Sequence, residues 1–230
     1  MKIFSYPDGN EKLALLFDMD NTLYTHDEYA RTQEGLPIER LAKRKGKTFE
    51  SVKAEIAAFR ADWAAFHNGQ CVSLGNIFLS FGISIEENIV WREELCRPED
   101  YLAKDARLYS ALRRLQQRFS LAVVTNNPVT VANRVLSVLG VNDIFKTIVG
   151  LDTCRLSKPN KEIFLKATAL CGVSPTQCVS IGDRYDIDIA LPLELGMSGI
   201  LVRGVEDVYE LPAIFVKGSY SKRASMEKIS

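Results

Sequence analysis

At 230 residues, with 47% hydrophobic and 25% charged side chains, the chain can bury a sizeable core and is too apolar for intrinsic disorder. Its 29 Lys+Arg offset 29 Asp+Glu, which argues against a nucleic-acid binder that relies on bulk positive charge. No apolar run reaches the roughly 20 residues of a membrane helix, and the stretch from Met1 to Gly9 turns polar too early for a secretory leader, so a soluble, cytoplasmic protein is expected. Cys71, Cys96, Cys154, Cys171 and Cys178 are odd in number and contain no CxxC, the pattern of reduced, mostly buried thiols.

In chain order, the first buried strand is expected at Leu13-Ala14-Leu15-Leu16-Phe17. From about Thr25 to about Pro98 only helical signals follow. Phe49, Val52, Ile56, Phe59, Trp63 and Phe66 step by three and four residues as one stripe, expected to be core. Ser84-Ile85-Glu86-Glu87 has capping-box spacing. An insert of roughly 70 residues is too long for an ordinary loop and is expected to be a helical subdomain. Beyond it, Leu108, Leu112, Leu115 and Phe119 mark a helix behind an Asp105 cap. Strands are then expected at Leu121–Val124, Thr147–Leu151, Cys178–Ile181 and Gly199–Val202. Helices between them run from Pro128 to Leu139 and from Pro159 to Cys171, each with proline entry and glycine exit. Unbroken apolar strands alternating with amphipathic helices predict an α/β fold, a doubly wound, Rossmann-like parallel sheet. The core is expected over residues 1–24 and 99–217, the helical insert over 25–98 and a polar tail over 218–230.

Several patterns lead nowhere. Gly46-Lys47-Thr48 looks like the end of a P-loop, but Leu41 stands where the first glycine is needed. No GxGxxG or GxSxG occurs. The basic run from Arg40 to Lys47 reads as a solvated helix end, His26 as a solvated loop residue and His67 as a helix-end residue.

Polar groups stand at the carboxyl ends of the expected strands, where open α/β sheets place ligands. The first strand runs into Asp18-Met19-Asp20-Asn21-Thr22, and the second into Thr125-Asn126-Asn127. Lys158-Pro159 follows the third, and Gly182-Asp183-Arg184-Tyr185-Asp186-Ile187-Asp188 the fourth. In this order the motifs resemble those of the haloacid dehalogenase-like (HAD) hydrolases, over the stretch from about Leu13 to about Val202. The helical insert is similar in position to the first type of cap in that family, and Asp20-Asn21-Thr22-Leu23-Tyr24 looks like its nucleotidase and phosphoglycolate-phosphatase branches.

The resemblance implies a sheet with the first motif's strand at its centre and Mg²⁺-dependent phosphoryl transfer. It implies Asp18 as nucleophile, forming an aspartyl-phosphate, and Asp20 as the acid and base acting on leaving group and water. Lys158 would neutralise Asp18 and the phosphoryl group, while Thr125 and Asn126 would hold its oxygens. Asp18, Asp20 through its carbonyl, and Asp183 would bind the metal. Asp188, or less readily Asp186, would be the second acid of the last motif, and Thr22 would brace the loop through its hydroxyl. The groups themselves agree, since carboxylates crowded at one sheet edge need a hard cation to offset their repulsion. The expected partner is a small phosphate ester, with neither nucleic acid nor membrane. A phosphomutase, a true dehalogenase (disfavoured by Asp20) and a non-catalytic phospho-ligand binder are the alternatives. Arg40, Arg44, Tyr29, His67 and Trp63 are candidate specificity residues on the insert, and oligomeric state stays open.

Overall fold

The computed structural model describes residues 1–5 and 13–216, Val216 by its backbone only. The expected polar tail lies outside the described residues. Six strands form one sheet: β1 (Lys2–Ile3), β2 (Leu13–Phe17), β3 (Phe119–Val124), β4 (Thr147–Val149), β5 (Cys178–Gly182) and β6 (Ser198–Leu201), in the order β1-β6-β5-β2-β3-β4. β2 is central, parallel to β3 from Leu13↔Phe119 to Phe17↔Val123 and to β5 from Ala14↔Cys178 to Phe17↔Ile181. Only β1 runs antiparallel, against β6. This edge strand of two residues is too short to announce itself in the sequence.

All five β2 residues are buried because both faces of the sheet are covered. Leu13, Leu15 and Phe17 point into one layer with Leu108, Leu112 and Leu115 of α5 (Ala106–Gln116) and Val135 and Leu136 of α6 (Val129–Leu139). Val208, Leu211 and Phe215 of α10 (Val205–Val216) complete it. Ala14 and Leu16 point the other way, onto Ile163, Phe164 and Ala167 of α8 (Lys161–Cys171).

Helix ends follow local chemistry. Asp105 accepts the N–H of Leu108, and Asn160, rather than Pro159, caps α8 by accepting from Glu162. Gly140 and Gly172 close α6 and α8 in the left-handed region, at φ 73° and 66°. Phe119, expected on the α5 face, instead opens β3 and packs at a tilt against Phe215, the helix having ended at Gln116. The strand expected through Leu151 stops at Val149. A Cβ at Gly150 would lie 2.7 Å from the Asn127 carbonyl, so the chain turns there into α7 (Leu151–Cys154).

Between β2 and β3 lie α1 (Asp27–Lys45), α2 (Phe49–Phe66), α3 (Leu74–Ser80) and α4 (Ile85–Leu95), with no strand among them. They share a separate apolar cluster that includes Ile38, Leu41, Val52, Ile56, Phe78 and Trp91. Phe66 departs from the expected core stripe: it is 85% exposed in the last turn of α2. His26 is no simple loop residue, since its ring accepts the Tyr29 N–H and caps α1. Gly46 ends α1 and Thr48 caps α2, which explains Gly46-Lys47-Thr48 without a phosphate. No helix among the described residues is long and apolar enough to cross a membrane.

Candidate active site

At the end of β2 the Asp18 N–H donates to the Ile181 carbonyl, carrying the ladder to β5 one residue further. A tight turn follows, in which the Met19 carbonyl accepts from Thr22 and Leu23. Asp18 is thereby fixed and buried at the tip of the central strand.

Lys158 reaches it from the loop before α8. The lysine is 1% exposed, and its three protons are all used. Nζ donates to Asp18 Oδ1 at 2.6 Å, Asp188 Oδ1 at 2.7 Å and the Val124 carbonyl at 2.8 Å. Asp188 comes from a single π-helical turn, Tyr185–Ile189, and accepts the Arg184 N–H on its second oxygen. That turn lies so close to β5 that a Cβ on Gly182 would sit 2.4 Å from Asp188 Cβ. Only glycine fits there. Pro192 falls in the short α9 (Ala190–Glu194) beyond the π turn. Asp186 points elsewhere and accepts the N–H of Cys71, on the helical segment.

One ammonium among several carboxylates leaves excess negative charge. Burial first, then Asp188, pushes Asp18 up to about 8 against the pull of Lys158, with Asp183 and Asp20 adding to the rise. Burial and Asp188 likewise raise Asp183 to about 6. Burial works to lower Lys158, but Asp18 and Asp188 outweigh it and hold the lysine protonated. Carboxylate oxygens of Asp18, Asp183 and Asp188 lie within 4.8 Å of one another. An oxygen-only set, buried at Asp18 and Asp188 and half-buried at Asp183, and short of positive charge, fits a hard divalent cation.

The Asp20 carboxylate is not in that set. Its Oδ2 accepts from Asn127 Nδ2 at 2.8 Å, and its Oδ1 from Gln33 Nε2 at 3.2 Å and from the Tyr24 hydroxyl. Thr125 is buried and its hydroxyl accepts the Asn127 N–H. The Asn126 amide clasps the Lys158 backbone, accepting its N–H at 2.6 Å. Thr22 is buried, but its hydroxyl has no hydrogen-bond partner among the described residues; the turn is braced by backbone bonds instead.

A cavity of about 250 Å³ lies over these groups, lined by Asp20, Asn126, Asp183 and Arg184 from below and by Gln33, Arg60, Ser73 and Arg92 from the helices. The residues guessed from the insert's sequence are not among its lining. Arg40 and Arg44 pair with Glu94 and Glu87, and Tyr29 is buried between the rings of Tyr24 and Tyr101. His67 stacks on Trp63. Gln33 and Arg92 carried no sequence signal, being isolated polar residues on otherwise ordinary helices, whereas Asn127 stood in the strand-end motif. A larger cleft, about 850 Å³, lies at the opposite ends of β3 and β4, remote from the carboxylates.

The sequence pattern of the haloacid dehalogenase-like hydrolases matches residues 13–195. A phosphoglycolate phosphatase of Psychrobacter arcticus is 35% identical over 78 residues, about a third (34%) of each chain. One from Xanthomonas campestris is 28% identical over 199 residues, covering 81% of both chains. In three dimensions the chain is similar to a HAD phosphatase from Thermococcus onnurineus, with a TM-score of 0.61 and 20% identity over 88% of this chain and 97% of that one. With strand-tip carboxylates and lysine in the family's motif order, the chain belongs to the haloacid dehalogenase-like hydrolases.

Proposed function

We propose that this hydrolase is a Mg²⁺-dependent phosphatase acting on a small soluble phosphomonoester through an aspartyl-phosphate. The observation that carries the proposal is the buried Lys158 held between Asp18 and Asp188, with Asp183 beside them and Asp20 facing the same cavity. Names of relatives across most of the chain's length support the substrate class, among them glyceraldehyde 3-phosphate and phosphoglycolate phosphatases. A cavity near 250 Å³ favours a small leaving group.

Asp18 attacks phosphorus and becomes the acyl-phosphate, while Lys158 neutralises Asp18 and the transferring phosphoryl group. Asp20 gives a proton to the departing alkoxide, then takes one from the water that attacks the acyl-phosphate, releasing phosphate and restoring Asp18. Thr125 and Asn126 hold phosphoryl oxygens, Asp188 keeps Lys158 aimed, and Thr22 fills the turn. Asp18, Asp183 and the Asp20 carbonyl would hold Mg²⁺, which when bound supplies the positive charge that lets anion meet anion. The need is specific: a carboxyl raised to about 8 is a poor nucleophile at neutral pH until such charge arrives. In this reading residues 25–98 form a cap that closes over the core of residues 1–24 and 99–217 and excludes water.

Phosphate release from p-nitrophenyl phosphate and a panel of small phosphate esters, with and without Mg²⁺, tests the proposal. Release should require the metal and vanish in Asp18→Asn. Substantial turnover by that variant removes Asp18 as nucleophile, and inertness of the wild type toward every ester removes the phosphatase reading.

A further inference from the structure

Asp20 is gripped by donors from three separate elements, and their polarity runs in one direction. The source is Arg92 on α4, 8% exposed and with no carboxylate within ion-pair distance among the described residues. A guanidinium can only donate. Its Nη1 donates to Asn127 Oδ1 at 2.9 Å, and its Nε to Asn88 Oδ1 at 3.2 Å.

An amide side chain can sit either way round, so its orientation is set by its neighbours. With Asn127 Oδ1 taken by Arg92, Nδ2 must face away, where it donates to Asp20 Oδ2 at 2.8 Å and Gln33 Oε1 at 3.2 Å. Gln33, its oxygen thus committed, turns Nε2 toward the Tyr24 hydroxyl at 2.8 Å and Asp20 Oδ1 at 3.2 Å. The Tyr24 hydroxyl, accepting from Gln33, passes its own proton to a bond with Asp20 Oδ1. Reversing Asn127 would set N–H against N–H, so one buried cation fixes the sense of every bond in the chain.

We propose that Arg92, Asn127 and Gln33 are positioning residues for Asp20, a one-way chain of donors that locks its carboxylate in the plane its proton transfers require. Gln33 and Arg92 belong to α1 and α4, whereas Asp20 and Asn127 belong to the sheet edge. The lock is therefore complete only when the helical segment is seated on the strand tips. This inference rests on the phosphatase reading above and adds to it which residues aim the acid–base group.

Leaving-group dependence and a double-mutant cycle separate the chain from simple scaffolding. Gln33→Leu and Arg92→Met should each lower kcat on an alkyl phosphate about tenfold or more, with little change in KM. The initial burst with an activated aryl phosphate, whose leaving group needs no acid, should fall far less. Arg92→Lys, another donor-only cation, should recover most of the loss. In an Asp20→Ala background the same changes should cost about twofold or less, because their route to the chemistry is gone. Losses that multiply with Asp20→Ala, or that fall equally on alkyl and activated esters, would overturn the positioning role. Should Arg92→Met not fold by circular dichroism, Gln33→Leu decides alone. Asp18-dependent release with multiplying losses sinks only the donor chain, whereas absence of Asp18-dependent release sinks the phosphatase reading and the chain with it.

Discussion

The strand tips and the helical segment over them handle charge in opposite ways. At the tips, Asp18, Lys158 and Asp188 are buried and their oxygens and protons face one another. On the helices, Arg92 apart, charge stays outside: Arg44 pairs with Glu87 and Arg60 with Glu34, all of them substantially exposed. Packing differs too, since every residue of β2 is buried but only Val52 and Ile56 are buried in α2. Where the two regions meet, Tyr29 packs between Tyr24 and Tyr101, and polar contacts include the Cys71 N–H to Asp186, Ser73 to Ser157 at 2.9 Å and Thr130 to Glu93 at 2.6 Å. Buried charge gathers at the strand tips, while most charge on the helices stays in water.

The largest effect should come from emptying the buried set of its cation. Lys158→Met leaves two carboxylates facing each other out of water, and should destabilise the fold by about 3–5 kcal/mol in urea unfolding. It should also lower kcat more than about tenfold. If stability is unchanged, the tips are no different from the surface. Next is Gly182→Ala. Its new Cβ would meet Asp188 Cβ at 2.4 Å and Cγ at 2.6 Å, so the π turn must shift. Destabilisation of about 3 kcal/mol is expected, the upper range for overpacking, together with loss of activity as Asp188 leaves Lys158.

The same contrast governs what the sequence discloses. The parallel strands, unlike edge strand β1, were legible because burial on both faces writes an unbroken apolar run, and Gly140 and Gly172 mark helix exits by needing positive φ. Asp18 and Lys158 were legible through the resemblance of their motifs to the family's, which left Asp188 and Asp186 both open. What failed was whatever depends on the third dimension alone. Phe119 continued a helical spacing by coincidence, its burial being met from β3. Arg40 and Arg44 were conspicuous in sequence yet pair outward, whereas Gln33 and Arg92, inconspicuous, turn inward. Asp186 and Asp188 differ by two residues, and only the π turn decides which of them meets Lys158.

A smaller, condition-dependent effect should follow from the unbalanced carboxylates. Asp18 rises from 3.8 to about 8 on folding, and Asp183 from 3.8 to about 6. A group raised in the folded state contributes stability below its unfolded value and loses it as pH climbs through the folded one. Metal-free protein should thus lose stability between roughly pH 4 and pH 8. Under the proposed metal assignment Mg²⁺ would relieve the same repulsion, so at about a hundred times its Kd it should stabilise by up to about 2.7 kcal/mol. Melting temperatures with and without Mg²⁺ should diverge at alkaline pH and converge near pH 5, where both carboxyls hold protons. A magnesium shift equal at both ends would uncouple the cation from these carboxylates.

The smallest effect belongs to the helical segment. Arg44 and Glu87 join α1 to α4, but both are substantially exposed, and water solvates each nearly as well alone. Removing Arg44 strands no buried partner, unlike removing Lys158. The entropy freed by releasing two long side chains offsets much of the lost attraction. Arg44→Ala should therefore change unfolding free energy by less than about 1 kcal/mol, with the difference shrinking further in high salt. Equal losses from Arg44→Ala and Lys158→Met would erase the distinction between the two regions, because burial would then have no bearing on the worth of an ion pair.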